Sequence, residues 1–91
     1  MQHAETGTPV NRTDTGAVSL TAGTLLGFYV NNKTVGATLV IANGTAASNT
    51  AISGTITPLI GFHRFNAYCP SGCYVTIAVQ PMDITFFFAA G

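Results

Sequence analysis

Charge is what this sequence has least of. Of its 91 residues only three are Lys or Arg and three are Asp or Glu, so the formal net charge is zero. Soluble domains usually devote about a quarter of their residues to charge and keep a net charge that limits self-association. The shortage excludes a nucleic-acid partner, which needs clustered cations. It favours a protein whose surface is covered by copies of itself or by a scaffold.

Long apolar runs are also missing, although 47% of the residues are hydrophobic. Gly, Thr, Asn or Pro interrupts every run well before the roughly 18 to 20 residues that a membrane helix needs. Residues 1–10 show no basic stretch followed by an apolar segment, which is the pattern of a secretory signal. We therefore expect neither a membrane protein nor a secreted one.

Groups able to carry out catalysis are scarce. The acids are Glu5, Asp14 and Asp83, and the first two lie within residues 1–16. No pair of carboxylates is therefore available for glycoside hydrolysis. No sequence motif combines a nucleophile with a base and an acid. A catalytic dyad of nucleophile and base could only combine His63 with Cys69 or Cys73, and no Gly-x-Ser-x-Gly turn accompanies it. The sequence also contains no phosphate-binding loop and no dinucleotide-binding turn. The sequence predicts no enzyme and no cofactor.

Two cysteines, Cys69 and Cys73, flank the turn Pro70-Ser71-Gly72. A disulfide between them would close a five-residue ring worth about 2 kcal/mol by loop entropy, although a reducing cytosol would keep the thiols free at first. Free, paired and partly buried thiols all remain open. Their spacing does not match the ligand spacing of structural zinc, so neither His63 nor His3 completes a metal site.

Alternation of apolar and polar residues with a period of two begins at Ala17. Every second residue from Cys73 to Val79 is apolar, which predicts a half-buried strand. Residues 51–57 repeat the pattern, with Ile52 and Ile56 inward, until Pro58 removes a backbone donor. Similar runs cover residues 18–20, 24–30, 38–42, 62–67 and 83–88, and turn residues separate them.

These runs predict an all-β fold of about seven or eight short strands, because no window shows helical spacing. A small antiparallel β-sandwich, jelly-roll-like, is favoured over a closed barrel. Residues 17–91 would form this single domain. Residues 1–16 are polar apart from Val10 and are predicted to form an extended N-terminal arm, with a frayed terminus as the alternative.

Two of the predicted strands, over residues 24–30 and 38–42, are apolar on both faces. In residues 24–30 we expect Leu26, Phe28 and Val30 on one side and Leu25 and Tyr29 on the other. We therefore expect both faces of this strand to be covered.

The last strand places Phe87 on the face opposite Ile84, Phe86 and Phe88. Either a loop or the arm covers Phe87, or another subunit does. The further candidates for an oligomer or capsid contact are Val10, Leu59, Ile60, Tyr68 and Tyr74.

Several strings between Leu25 and Phe88 carry a resemblance. They are Leu-Gly-Phe-Tyr-Val-Asn-Asn (26–32), Ala-Thr-Leu-Val-Ile-Ala-Asn-Gly-Thr (37–45), Ile-Ser-Gly-Thr-Ile-Thr-Pro (52–58), Gly-Cys-Tyr-Val-Thr-Ile (72–77) and Asp-Ile-Thr-Phe-Phe (83–87). The chain resembles small β-rich virion proteins of tailed phages, closest to capsid decoration, or cement, proteins. The strings are strand and turn chemistry, so no contact residue is carried over.

The resemblance implies a homotrimer that is made in the host cytoplasm and binds the major capsid protein on the outside of the head. Such a protein would stabilise the shell by binding only its assembled form, with the N-terminal arm as a strap over a neighbouring subunit. An alternative is a carbohydrate- or receptor-binding module of a phage fibre, using Tyr29, Tyr68, Tyr74 or His63 as stacking surfaces. A structural component of the tail or neck shares every one of these features.

Overall fold

The computed structural model describes residues 7–46, 50–79 and 81–90. Within these ranges the chain contains eight strands and no helix, which confirms the predicted all-β class. The strands are β1 (Thr8–Arg12), β2 (Gly16–Ser19), β3 (Gly23–Lys33), β4 (Thr38–Asn43), β5 (Thr50–Ala51), β6 (Gly61–Cys69), β7 (Cys73–Ala78) and β8 (Met82–Ala90).

The strands form two four-stranded antiparallel sheets. Sheet A has the order β1-β8-β3-β6, and sheet B has the order β2-β7-β4-β5. The first strand pairs with the last, the second with the last but one, and so on inward: β1 with β8, β2 with β7, β3 with β6 and β4 with β5. One long hairpin folded over on itself gives this pairing, and it confirms the jelly-roll-like sandwich.

The core lies between the two sheets and is entirely apolar. No polar or charged side chain is buried among the described residues. Burial of each large side chain stabilises the fold by roughly 1.5–3 kcal/mol relative to its exposure to water. The largest fully buried side chains are Phe28, Phe86, Leu25, Leu39, Ile41, Ile77, Met82, Ile84, Val30 and Val75.

The predicted faces of β3 require a correction at its middle. Leu25 is fully buried together with Phe28 and Val30, whereas the alternation placed Leu26 on their side of the strand and Leu25 on the opposite side. The cause is a β-bulge, because between Leu25 and Gly27 strand β3 has one residue more than β8. Over the same stretch β6, from Arg64 to Ala67, has one residue more than β3. A bulge adds one residue to a strand and so exchanges the faces beyond it.

The boundary of the N-terminal arm also moves. Residues 8–12 form β1, an edge strand of sheet A paired along its whole length with β8. Val10 packs against the core, and the Asn11 amide donates hydrogen bonds to Asp83 Oδ1 (2.7 Å) and to the Ile84 carbonyl (3.1 Å). Residues 7–16 of the predicted arm therefore belong to the sandwich, and residues 1–6 lie outside the described residues.

The strand predicted over residues 51–57 is shorter than expected, because β5 ends at Ala51. Beyond it the chain stays beside β4 through single contacts. Ile56 forms an isolated bridge with Leu39, and the Ile41 amide donates to Ser53 Oγ at 2.9 Å. The serine hydroxyl thus takes the place of a ladder partner, while Ile52 and Ile56 pack against the core as predicted.

Candidate interaction surface

The outer face of sheet A carries the exposed aromatic side chains of this fold. Along β6 the exposure alternates without interruption, and Phe62, Arg64, Asn66 and Tyr68 point away from the core. Phe62 is 59% exposed and Tyr68 is 61% exposed. Tyr29 lies opposite Phe62 on the neighbouring strand β3. These rings stand on the solvent side of the sheet. Tyr29 is 43% exposed, so this face of the strand predicted over residues 24–30 is not covered, contrary to the expectation.

Gly27 lets Phe62 lie flat across the sheet. A Cβ atom at Gly27 would stand 2.7 Å from the His63 carbonyl oxygen and 3.0 Å from the Phe62 ring. The ring passes over this gap and meets Phe87 of β8, with 6.2 Å between ring centroids and 53° between planes. Such a tilted pair adds about 0.5–1.5 kcal/mol beyond the area it buries.

Phe87 is therefore half-buried by its own chain. Phe62 covers it from the side of β6, and Pro9 of β1 lies opposite it in the register of the sheet. The sequence left open whether a loop, the arm or another subunit covers this ring. The structure supplies part of the cover from β1 and, across β3, from β6, and leaves the rest to solvent.

A surface cavity of about 210 Å³ lies on this face beside the Phe62 ring. Its lining combines two apolar side chains, Leu26 and Phe62, with the guanidinium of Arg64 and the amide of Asn66. The bulge at Leu25 to Gly27 brings Leu26 to this side of the sheet. The cavity offers an apolar wall and hydrogen-bond donors together, with one positive charge.

A second cavity, of about 300 Å³, is lined by residues near the ends of β3 and β8 and by the chain connections beside them. Hydrogen bonds from Thr34 Oγ1 to the Pro81 carbonyl (2.9 Å) and from the Met82 amide to the Thr13 carbonyl (3.2 Å) tie these connections together. Lys33 and Asp83 are its charged lining residues. This arrangement accounts for the cavity as a product of loop closure.

The predicted contact residues separate into four places. Tyr68 and Phe87 share the outer face of sheet A, whereas Val10 faces the core. Tyr74 lies on β7 of sheet B, half-buried opposite Ala17 and Ala42. Of the predicted contact residues, the structure thus places only Tyr68 and Phe87 on the same face as Phe62 and Tyr29.

Leu59 and Ile60 precede β6 and are exposed at 72% and 61%. His63 Nε2 lies 2.6 Å from the Leu59 carbonyl oxygen, and the imidazole ring stacks 5.2 Å from Phe28. His63 therefore fixes the loop that carries the two exposed aliphatic side chains. They lie immediately before the start of β6.

Phe62 and Leu26 were missed as contact residues by the sequence interpretation. The strand over residues 62–67 was predicted without assigning its faces. The alternation Phe62, Arg64, Asn66, Tyr68 was the signal that would have placed Phe62 outward. Leu26 gave no such signal, because a bulge cannot be recognised from alternation in a strand that is apolar on both faces.

Cys69 and Cys73 are free, fully buried thiols at the corner where the chain passes from sheet A to sheet B. Burial raises the pKa of Cys73 to about 12, and the neighbouring Cys69 adds to the shift. Burial also raises the pKa of Cys69, which hydrogen-bonds with Cys73. Protonated, enclosed thiols are poor nucleophiles. The disulfide remains a prediction for oxidising conditions.

In the described ranges no cluster of three or more His, Cys, Asp and Glu side chains could hold a metal ion. The same residues include no helix of the length and hydrophobicity needed to cross a membrane. Comparisons of the chain with protein-family models, with curated proteins and with solved structures find no match. The fold and the outer face of sheet A are therefore the features that bear on function.

Proposed function

We propose that this chain is a structural protein of a tailed-phage virion that binds the outer surface of the capsid as an oligomer and carries out no catalysis. The observation that carries the proposal is the aromatic outer face of sheet A, formed by Tyr29, Phe62, Tyr68 and Phe87 on a sandwich with almost no charge. The jelly-roll topology supports it, since capsid proteins commonly use that architecture.

The composition of this face is typical of a protein interface. Aromatic side chains with an occasional arginine are enriched in interface centres, while Lys, Glu and Asp are depleted there. Phe62 and Tyr68 are exposed, and Arg64 lies between them as the cation of β6. Covering these rings removes apolar surface from water without desolvating a group of charges.

Stabilisation of the shell follows from mass action. A protein that binds the assembled capsid, and not its separated subunits, lowers the free energy of the assembled form by its binding free energy. The face requires only a complementary surface on the major capsid protein. No covalent step and no cofactor enter this mechanism.

The test uses heads of the encoding phage prepared without this protein. Phe62→Ser removes the central ring of the face, and we expect about tenfold weaker binding in a pelleting assay, in line with the loss of one interface anchor. The matched control is Val35→Ser, because Val35 is 94% exposed in the turn between β3 and β4, away from the face. Equal binding by Phe62→Ser and wild type would refute the proposal.

A carbohydrate- or receptor-binding module is the second candidate, and the cavity beside Phe62 favours it. An aromatic ring next to the donors of Arg64 and Asn66 suits stacking of a sugar ring and hydrogen bonds to its hydroxyls. A glycan array separates the two candidates. Binding that is lost in Arg64→Ala and kept in Val35→Ser would replace the capsid proposal.

A tail or neck location is distinguished on the particle itself. A gold-labelled antibody against this protein marks the head surface of complete virions in the capsid proposal. Labelling confined to the tail or the neck would move the same structural role to that part of the particle.

A further inference from the structure

The four edges of the two sheets are not equally protected against pairing with another chain. Edge β1 carries Pro9, which has no backbone N–H, and β2 has four residues with a register shift between Ala17 and Ser19. Edge β5 has two residues. Natural sheets use such short, bulged or proline-bearing strands to prevent edge-to-edge association.

Edge strand β6 is the longest of the four edges and has no proline, and its register against β3 shifts once, between Arg64 and Ala67. It extends over nine residues, Gly61–Cys69, without Pro or Lys, and its exposure alternates regularly up to Tyr68. Among the described residues no strand pairs with β6 on the side away from β3. A long edge of this kind presents a row of backbone donors and acceptors to another strand.

The sequence of β6 is complementary to itself about Phe65. In an antiparallel pair of two β6 strands centred on Phe65, each residue before Phe65 faces the residue equally far after Phe65 in the second copy. Phe62 then faces Tyr68 of the second copy on the outer side, and Arg64 faces Asn66 of the second copy. We propose that β6 pairs with β6 of a second copy in this register, which joins two sheets A into one continuous sheet.

The contacts in this register are favourable on both sides of the joined sheet. Aromatic cross-strand pairs stabilise a sheet, and like charges directly opposite each other destabilise it. Here an aromatic ring meets an aromatic ring, and the one charged residue of β6 meets an amide. On the inner side Phe65, which is partly buried against the core, faces its own copy and completes the burial that a lone edge leaves open.

This inference concerns the self-association step of the proposed function and stands without the capsid. A two-fold interface closes on itself and gives an even-numbered assembly, in place of the trimer that the resemblance implied. The joined sheet also makes one larger surface of the two aromatic outer faces. A capsid partner would then contact both copies at once.

The test measures the dissociation constant of the full-length isolated protein by sedimentation equilibrium. Asn66→Arg places an arginine opposite Arg64 at both contacts, and we expect about a tenfold higher dissociation constant. The double variant Arg64→Glu with Asn66→Arg restores opposite charges and is expected to recover wild-type association. Asn66→Glu is expected to associate several-fold more tightly than wild type.

The control is Thr8→Arg, which adds the same charge at an exposed position of the opposite edge, β1, and is expected to leave the dissociation constant unchanged. The thermal midpoint of each variant checks folding. A monomer at all concentrations up to about 1 mM, a trimeric mass, or a double variant no tighter than Asn66→Arg would each overturn the pairing. Head binding by a monomer would overturn the pairing and the oligomer, and would leave only the capsid-binding part of the proposed function standing.

Discussion

Gly27 is the residue on which the arrangement of the aromatic face depends most directly. Gly27→Ala adds a methyl group 2.7 Å from the His63 carbonyl oxygen and 3.0 Å from the Phe62 ring. Because a backbone oxygen cannot move aside as a side chain can, we expect the free energy of unfolding to fall by about 1–3 kcal/mol. Urea denaturation monitored by tyrosine fluorescence measures it.

Gly54→Ala is the matched control for this substitution. No atom lies within 4 Å of the Cβ position at Gly54, and its backbone is outside the left-handed region. We expect the free energy of unfolding to stay constant or to rise by about 0.4–1 kcal/mol, since alanine restricts the unfolded chain. Equal losses in the two variants would contradict the role assigned to the space at Gly27.

Cys73 makes stability sensitive to alkaline pH. Its pKa is raised to about 12 in the folded protein against 9.0 for the unperturbed thiol, because burial disfavours the thiolate. The unfolded state therefore loses the thiol proton first. The contribution of the Cys73 thiol to the free energy of unfolding is fully present below pH 9. It is lost as the pH rises from about 9 towards 12, by at most about 1.4 kcal/mol per pH unit.

Urea denaturation between pH 7 and pH 11 measures this loss, and Cys73→Ala is the control. The variant has no thiol at this position, so we expect its stability to fall less steeply above pH 9 than that of the wild type. Parallel curves for the two proteins would show that other groups account for the alkaline sensitivity.

In strand β1 one side chain, Asn11, adds hydrogen bonds to the backbone pairing with β8. The Asn11 amide donates to Asp83 Oδ1, to the Ile84 carbonyl and, at 3.3 Å, to Thr85 Oγ1 of β8. We expect Asn11→Ala to lower the free energy of unfolding by about 1 kcal/mol, because one of these bonds is partly shielded from water. Thermal or urea unfolding of the variant measures the change.

Asn31→Ala is the comparison for β1. Asn31 donates a single exposed hydrogen bond to the same Thr85 hydroxyl, from β3 on the other side of β8, and a loss below about 0.5 kcal/mol is expected. Deletion of residues 1–12 removes β1 and should destabilise more than either substitution. A loss of capsid binding after that deletion therefore tests the strap hypothesis only if the shortened chain still folds.

The regular strands were predictable from alternation alone. Residues 73–78 and 84–88 each have one apolar and one mixed face, so a single register buries the apolar side, and the structure places Phe87 outward as expected. Residues 7–12 gave no such signal. Their only large aliphatic residue is Val10, and pairing with β8 is a contact between the two ends of the sequence.

The middle of β3 shows where alternation cannot decide. Apolar residues occupy both faces there, so burial favours neither register, and the bulge at Leu25 to Gly27 is set by the positions of β6 and β8. The outer face that we propose as the site depends on this bulge, since it turns Leu26 outward beside Phe62. The site was therefore less predictable than the fold.

At the scale of the whole molecule, strand pairing between opposite ends of the chain gives a structure held by distant contacts and apolar burial. The described residues contain one ion pair, between Arg12 and Asp14 at 2.9 Å, and it lies at the surface. Exposed pairs of this kind stabilise a fold by at most about 1 kcal/mol. Electrostatics thus contributes little to the stability or to the proposed association.

Salt separates this apolar association from an electrostatic one. Raising sodium chloride from about 0.05 M to about 0.5 M should change the free energy of unfolding by less than about 0.5 kcal/mol and should not weaken wild-type association, because few charges are available to screen. Urea denaturation and sedimentation equilibrium at the two salt concentrations measure these quantities. The Asn66→Arg variant is the informative comparison, since the repulsion between facing arginines in the proposed β6 pair is screened by salt. Its dissociation constant should move towards the wild-type value as salt rises. Wild-type association that weakens with salt would instead indicate an interface built on charges.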